Sequence, residues 1–404
     1  MQEHNQTTDV CICEFGATPG QGGLQTGPIQ EAIDRCAEAG GGIVRVPHGV
    51  FRTGGLHLRS HVELHLEEGA ILRGSEDCAD YGRRCHWTDG LLRGEDLEEI
   101  AIAGKGTLDG ANCRNAQGEE GFRGPHCVWL QNCAGIRVED ITIVRSANYA
   151  FSIVDSSAAT FENLKVRAGH DGIHAQRSQS FRVLDCDFRT GDDCIAGQGN
   201  RDFEVRNCRL NTSCNGFRFS CVGLTVSNCR FWGPGEAEHR VSGRHNMLSA
   251  FIHFSPRDRG CEGSVPHSDG WLIENCTVEN VDRLYVYDYE NGGWQQGQPV
   301  AAVTFRDVSV TGALLPVEVR GDAGHQFALT MEDVDIALRD TADAVPLISI
   351  SQFDTLTLRN VILHGHGTHP VLRLRDGSHT QLNAVRGPTG GPIHSDIDAV
   401  RSVH

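Results

Sequence analysis

One four-residue pattern recurs along most of this 404-residue chain: an apolar residue, a variable one, Asn or Asp, then a small or branched apolar residue. It reads VEDI ending at Ile141, ENLK around Asn163, LDCD around Asp185, VRNC around Asn207, VSNC around Asn228 and IENC around Asn275. FRDV around Asp307, MEDV around Asp333, LRNV around Asn360 and LNAV around Asn383 follow. From Asp140 the successive steps are 23, 22, 22, 21, 47, 32, 26, 27 and 23 residues. A period near 22, with short alternating strands between Gly-rich turns, predicts the coils of a parallel β-helix. Residues one period apart then stack on neighbouring strands about 4.8 Å apart. Asn or Asp at a turn can stack its side chain on the next rung and adopt backbone conformations that most residues avoid. The residue after it, often Cys, Val or Ile, faces the core. Long steps mark loops inserted into a coil, and neither leucine-rich nor propeller signatures occur.

One segment breaks this period. Pro28 to Ala39 places Ile29, Ala32, Ile33, Cys36 and Ala37 on one helical face, with Pro near the first turn and Gly40 to Gly42 after the last. A β-helix leaves its first coil open, so an amphipathic helix there is expected as a cap. The expected organisation is one β-helix domain over residues 1–404, with a cap at 10–45, an inserted loop at 232–271 and a tail at 387–404. The fold class is thus all-β, a single-stranded parallel β-helix with an N-terminal capping α-helix. The insertion carries His239, Arg240, Arg244, His245, His253, Arg257 and His267, and a loop of this size on a repeat scaffold is expected to line the functional face. As a wall across a groove it favours exo-action on short substrates. The polar tail either caps the stack or docks on a neighbouring copy, leaving a homo-oligomer open.

Composition narrows the partners. A net charge of −17 with 36 basic residues argues against nucleic acid; it is also awkward for an acidic polymer as substrate, although a local basic cleft can sit on an acidic body. No apolar run reaches membrane-spanning length, and MQEHNQTTDV lacks the regions of a signal peptide, so the expected location is cytoplasmic for the chain as written and outside the cell if a leader was removed. Of 16 cysteines, Cys186, Cys208, Cys229 and Cys276 fall on the inward position and are expected to pack as thiols. The pairs Cys11/Cys13 and Cys214/Cys221 are left open, and neither has zinc-ribbon spacing. Gly365-His366-Gly367, with His364 and His369, reads as a turn. No metal and no cofactor are expected.

The chemistry gathers between Gly169 and Cys221, where Asp171, Asp192 and Asp193 lie on the repeat. Asp171 and Asp193 are one period of 22 apart, which assigns the three carboxylates to one site. Around them the phrases FGA (Phe15 to Ala17), GGGIVRVPHG (Gly40 to Gly49), LHLEEGAILRGS (Leu64 to Ser75), GTLDG (Gly106 to Gly110) and GDDCIA (Gly191 to Ala196) occur in order. This succession resembles glycoside hydrolase family 28, the polygalacturonase-like enzymes of the pectin-lyase-like right-handed β-helix superfamily. The resemblance runs from about Glu14 to Asp307 and implies a right-handed coil and inverting hydrolysis of a glycosidic bond. It implies Asp192 as general acid, with Asp171 and Asp193 holding and activating water. Inversion needs one protonated and one ionised carboxyl with room for that water between them.

The departures from the family pattern concern the substrate. Asn215, in Cys214-Asn215-Gly216, stands where the family has a histidine, and an amide cannot carry the proton. Tyr285-Val286-Tyr287 stands where the family has an Arg-x-Lys grip on a uronate, and Gly197-Gln198-Gly199 replaces a basic residue. Two tyrosines there fit a neutral or deoxy sugar. His170, His174 and Arg218 could restore charge, and Tyr149 either stacks on a sugar face or is a coil-edge aromatic. The carbohydrate-binding set is therefore His170, His174, Gln198, Asn215, Arg218, Tyr285, Tyr287 and Tyr149. A uronate lyase or epimerase, and a non-catalytic carbohydrate-binding β-helix, remain as alternatives.

Overall fold

The computed structural model describes residues 8–82, 89–254, 268–289, 299–314, 317–339, 346–364, 371–387 and 389–403. Among them one α-helix, Thr26–Glu38, accompanies short parallel strands. The chain divides into two compact units, Met1–Thr190 with His239–Gly243, and Gly191–Glu238 with Arg244–His404.

In the first unit the period of the sequence is three strands. Phe151–Val154, Ser157–Glu162 and Lys165–Ala168 form one coil. They pair in parallel with Ile173–Gln176, Gln179–Leu184 and Asp187–Thr190 of the next, Phe151 opposite Ile173, Ser157 opposite Gln179 and Lys165 opposite Asp187. Alternation sends Phe151, Ile153, Phe161, Phe181 and Phe188 into the core, where Phe151 and Phe161 meet edge to face at 5.1 Å.

The helix starts two residues earlier than the apolar spacing implied. It buries Ile29, Ala32, Ile33 and Cys36 but leaves Ala37 half-buried, and it packs on the strands Thr8–Cys11, Gly42–Val46 and Val62–Leu66. Full burial of Ile29 and Ile33 contributes about 1.5–3 kcal/mol each. Behind the helix, Gly42 at φ 148° lies so close to Thr8 that a Cβ would stand 2.0 Å from its carbonyl oxygen. That approach requires glycine.

Asp140, Asn163, Asp185, Asn207, Asn228, Asn275, Asp307, Asp333 and Asn360 all take left-handed backbone, with φ between 51° and 63°. Neighbouring members bond: Asn163 Nδ2 donates to Asp140 Oδ1 at 2.6 Å, Asn228 to Asn207 at 3.2 Å and Asn275 to Asn228 at 2.5 Å. The expectation fails at its last member. Asn383 ends the strand Leu372–Asn383, and Ala384 takes the left-handed position at φ 55°. A second turn column in the first unit, Asp96, Asn132, Asp155 and Arg177, has φ between 50° and 58° and is closed by a two-pronged Arg177–Asp155 bond at 2.6 and 2.7 Å.

The second unit corrects the boundaries of the insertion. Met247–His253 is a strand paired with Asn215–Ser227 on one side and Val281–Asp288 on the other, and it buries Met247, Ser249, Phe251 and His253. Inward Ser and His hid the apolar alternation in the sequence. Arg257 and His267 lie outside the described residues, as do Gly365, His366, Gly367 and His369. Described parts of the tail add strands, Ser395–Asp398 on Leu372–Arg375 and Ser402 opposite His379. Cys186, Cys208, Cys229 and Cys276 are buried thiols, and Cys11, Cys13, Cys214 and Cys221 are thiols as well. No helix among the described residues is long and apolar enough to cross a membrane.

Candidate active site

In the first unit, Asp171 lies in the turn two residues before the strand Ile173–Gln176 begins. The carbonyls of Asp171 and Gly172 accept from Ala150 and Phe151, which anchors this turn on the previous coil. The fully buried Asp171 accepts at Oδ2 from His174 Nδ1, 2.8 Å away. That bond places the imidazole proton on Nδ1, so Nε2 accepts from the Gln176 amide at 3.1 Å. His174 stacks on Tyr149 with ring centroids 4.5 Å apart and planes 2° from parallel, and His126 covers the other face of Tyr149 at 5.1 Å. The Arg123 guanidinium lies 5.7 Å from the same ring. Tyr149 is only 5 % exposed, so it is a layer in a polar stack and offers no open face to a sugar.

His170 is buried against Phe122 at 5.6 Å, and its Nε2 has no hydrogen-bond partner among the described residues. Burial, then the charges of Arg123 and Arg240, hold its proton affinity well below that of an ordinary histidine. Arg123 is neutralised by Glu120, through Nε at 2.8 Å and Nη2 at 3.3 Å. Arg240 reaches the Ser146 carbonyl at 3.4 Å and bonds to Asn112 Oδ1. Its guanidinium lies over Gly169, where a Cβ would stand between 2.1 and 2.3 Å from three of its atoms.

In the second unit, Asp192 and Asp193 enter the strand Ile195–Arg206. Asp193 is fully buried and both its oxygens are occupied. Oδ1 accepts from Asn215 N at 3.2 Å and from its Nδ2 at 2.8 Å, while Oδ2 accepts from Arg218 Nε. Asn215 thus reaches the carboxylate from the position expected for a histidine, with an amide in place of an imidazole. Arg218 sits in the outward column between Ala196 and Ile252, and its guanidinium lies 4.2 Å from the Phe254 ring centroid. Asp192 is half-buried, and its carbonyl accepts from the Thr212 hydroxyl. Burial, with Asp193 and Asp192 close by, raises the proton affinity of the Cys214 thiol and keeps it protonated. Gln198 is buried in the irregular step between Gly197 and Asn200.

Tyr285 and Tyr287 must be reassigned. Each is 1 % exposed and occupies an inward column, Tyr285 opposite Phe251 and Tyr287 opposite Val319. Tyr285 packs against Trp271 and Phe305, and Tyr287 accepts at its hydroxyl from Val300 N at 3.3 Å. Burial pushes both phenol pKa values up. The side chain facing outward between them is Val286, so the tyrosines are core and present nothing to a sugar. The argument for a neutral sugar loses its basis with them.

Sequence reasoning passed over His126, Arg123 and the placement of Arg240. A signal existed for the stack, because His126, Tyr149 and His174 recur at steps of 23 and 25, close to one period. For Arg240 the only hint was a glycine at 169.

Residues 126–237 match a family model described as a right handed beta helix region. A probable polygalacturonase of Vitis vinifera is 27 % identical over 207 residues, 45 % of this chain and 42 % of that protein. An exo-poly-alpha-D-galacturonosidase of Dickeya chrysanthemi is 44 % identical over 72 residues, 18 % of this chain and 12 % of that protein. The chain therefore spans less than half the length of these curated relatives. The crystal structure of a hyperthermoactive exopolygalacturonase from Thermotoga maritima gives a TM-score of 0.69 at 19 % identity, over 88 % of this chain and 92 % of that one. The fold is a right-handed parallel β-helix.

Proposed function

We propose that this polygalacturonase-like β-helix is an inverting glycoside hydrolase that releases sugar from the end of a short saccharide. The observation that carries the reading is the contrast between two adjacent carboxylates. Asp193 is buried with both oxygens accepting from donors that cannot accept in return, so a proton on either would face another N–H. It suits the holding and orienting of a water nucleophile. Asp192, half-buried beside it, is the residue suited to protonating the leaving oxygen. Asp171, one sequence period before Asp193, joins Asp193 in activating water, and His174 fixes its carboxylate. Asn215 orients Asp193 and takes no proton. Exo-action draws support from the insertion, whose segment His239–Gly243 belongs with the first unit and lies over the turn that carries Asp171.

The test is product analysis by NMR on neutral and uronic glycosides, with wild type beside Asp192→Asn. The expected outcome is a sugar first released in the inverted anomeric form and a kcat lowered by about 10²–10⁴ in the variant. Unsaturated products would point to a lyase, and binding without turnover to a carbohydrate-binding module.

A further inference from the structure

Two turns of the first unit meet at a pair of sulfurs. Cys78 opens the short helical turn Cys78–Tyr81, and Cys113 lies in the loop that follows the strand Thr107–Asp109. Their Sγ atoms are 3.5 Å apart, although 35 positions separate the residues in the chain. Both are thiols, and the Cys78 thiol also donates to the Arg114 carbonyl at 3.4 Å. Cys113 is 1 % exposed, in a small apolar cluster with Tyr81, Leu91 and Ala147, and Cys78 packs on that cluster. Each turn is pinned on its own account. Asp77 Oδ1 accepts from Ala79 N at 2.9 Å, and the Tyr81 hydroxyl donates to the Ser75 carbonyl at 2.7 Å. On the other side Asn112 N donates to the Arg145 carbonyl at 2.8 Å. The surrounding backbone therefore holds the two sulfurs in contact.

A disulfide needs sulfurs about 2.0 Å apart, so closure asks for an approach of about 1.5 Å, which small rotations of the two side chains supply. Accessibility orders the steps, because Cys78 is half-buried and Cys113 is closed off, so an oxidant meets Cys78 first. We propose that Cys78 and Cys113 form a reversible disulfide, a modification site that staples residues 75–82 to residues 110–125. With hydrogen peroxide as oxidant, the Cys78 sulfur attacks one peroxide oxygen, the O–O bond breaks, and one water leaves with a sulfenic acid on Cys78. The Cys113 sulfur then attacks the Cys78 sulfur and displaces hydroxide, which takes the Cys113 proton and leaves as a second water. The two thiols lose two electrons and the peroxide gains them, and a dithiol reductant reverses the change. The stapled loop carries Asn112, which accepts from Arg240, and Arg123, which lies over Tyr149. Oxidation thus fixes the ground beside the turn of Asp171, whatever reaction that turn serves.

The experiment treats the whole chain with dithiothreitol or with a slight excess of hydrogen peroxide, then alkylates it and maps its peptides without reduction, beside Cys78→Ser and Cys113→Ala. Oxidised wild type is expected to yield one peptide pair joining Cys78 to Cys113, released by dithiothreitol and absent from both variants. Oxidation should raise the wild-type Tm by about 2–8 °C and slow tryptic nicking after the exposed Arg114 by about tenfold. Neither shift should appear in Cys78→Ser, whose hydroxyl keeps a donor for the Arg114 carbonyl and so preserves the local fold. Separate alkylation of both sulfurs after peroxide would overturn the proposal, as would a bond from Cys78 to any other cysteine. A bond that forms yet leaves Tm and nicking as they are in the reduced chain would refute the staple.

Discussion

The two units each bury one aspartate completely, and they hold it by different means. In the first, Asp171 leans on the imidazole of His174, which is stacked in turn on Tyr149 and His126. In the second, Asp193 is held by an amide and by the guanidinium of Arg218, which rests on Phe254. A ring N–H donates one hydrogen bond, whereas a guanidinium brings a permanent charge with its N–H groups. One carboxylate thus leans on a stacked ring, and the other on a permanent cation. The aromatic residues divide in the same way. Tyr149 is a layer between imidazoles, while Tyr285 is core, between Trp271 and Phe305.

The sharpest way to break this contrast is to remove each aspartate. Asp193→Ala strands a largely buried guanidinium and should cost about 3–5 kcal/mol. Asp171→Ala leaves an imidazole that can stay neutral and should cost about 1–3 kcal/mol. Urea unfolding of both variants measures the difference, and equal losses would show that the permanent charge is of no special importance.

A smaller effect tests the first unit's dependence on pH. Because the folded-state pKa of His170 is depressed, the unfolded chain takes up this proton more readily than the folded one. The stability from neutral His170 is therefore fully present above the unfolded value near 6.5 and declines as pH falls below it. The slope from this one group is at most about 1.4 kcal/mol per pH unit. Unfolding at about pH 7.5 and about pH 5.5 should show a shallower acid-side loss in His170→Gln than in wild type. Parallel curves would place the titration elsewhere.

The smallest effect sharpens the reassignment of the second unit's tyrosines. The Tyr285 hydroxyl is buried with no partner among the described residues, so Tyr285→Phe should shift stability by less than about 1 kcal/mol and leave KM unchanged. A raised KM would return this residue to the sugar site.

The coil was legible because it rests on local rules repeated along the chain. Asn or Asp from position 140 to position 360 adopts left-handed backbone at each turn, a preference that belongs to the residue itself and needs no distant partner. The capping helix announced itself through its 3.6-residue spacing, and the inward cysteines through the place that follows each turn residue. Even the failure at Asn383 is instructive. Ala384 takes the strained position because Asn383 lies opposite Arg359, which sets Ala384 beside Asn360 in the turn column and Asn383 one place before it. Propensity gave way there to register.

From the sequence alone came the period, the fold class, the cap and the three aspartates, all properties of spacing and residue type. The tertiary structure decided which way each side chain faces and what stands opposite it. A shift of one position in strand parity sends Tyr285 and Tyr287 inward and leaves Val286 outside. Arg240 is 71 positions from Gly169 in the chain, and only folding of the insertion lays its guanidinium on that glycine. Burial and Coulomb interactions act through space, so the placement of that guanidinium leaves no trace in the order of the residues.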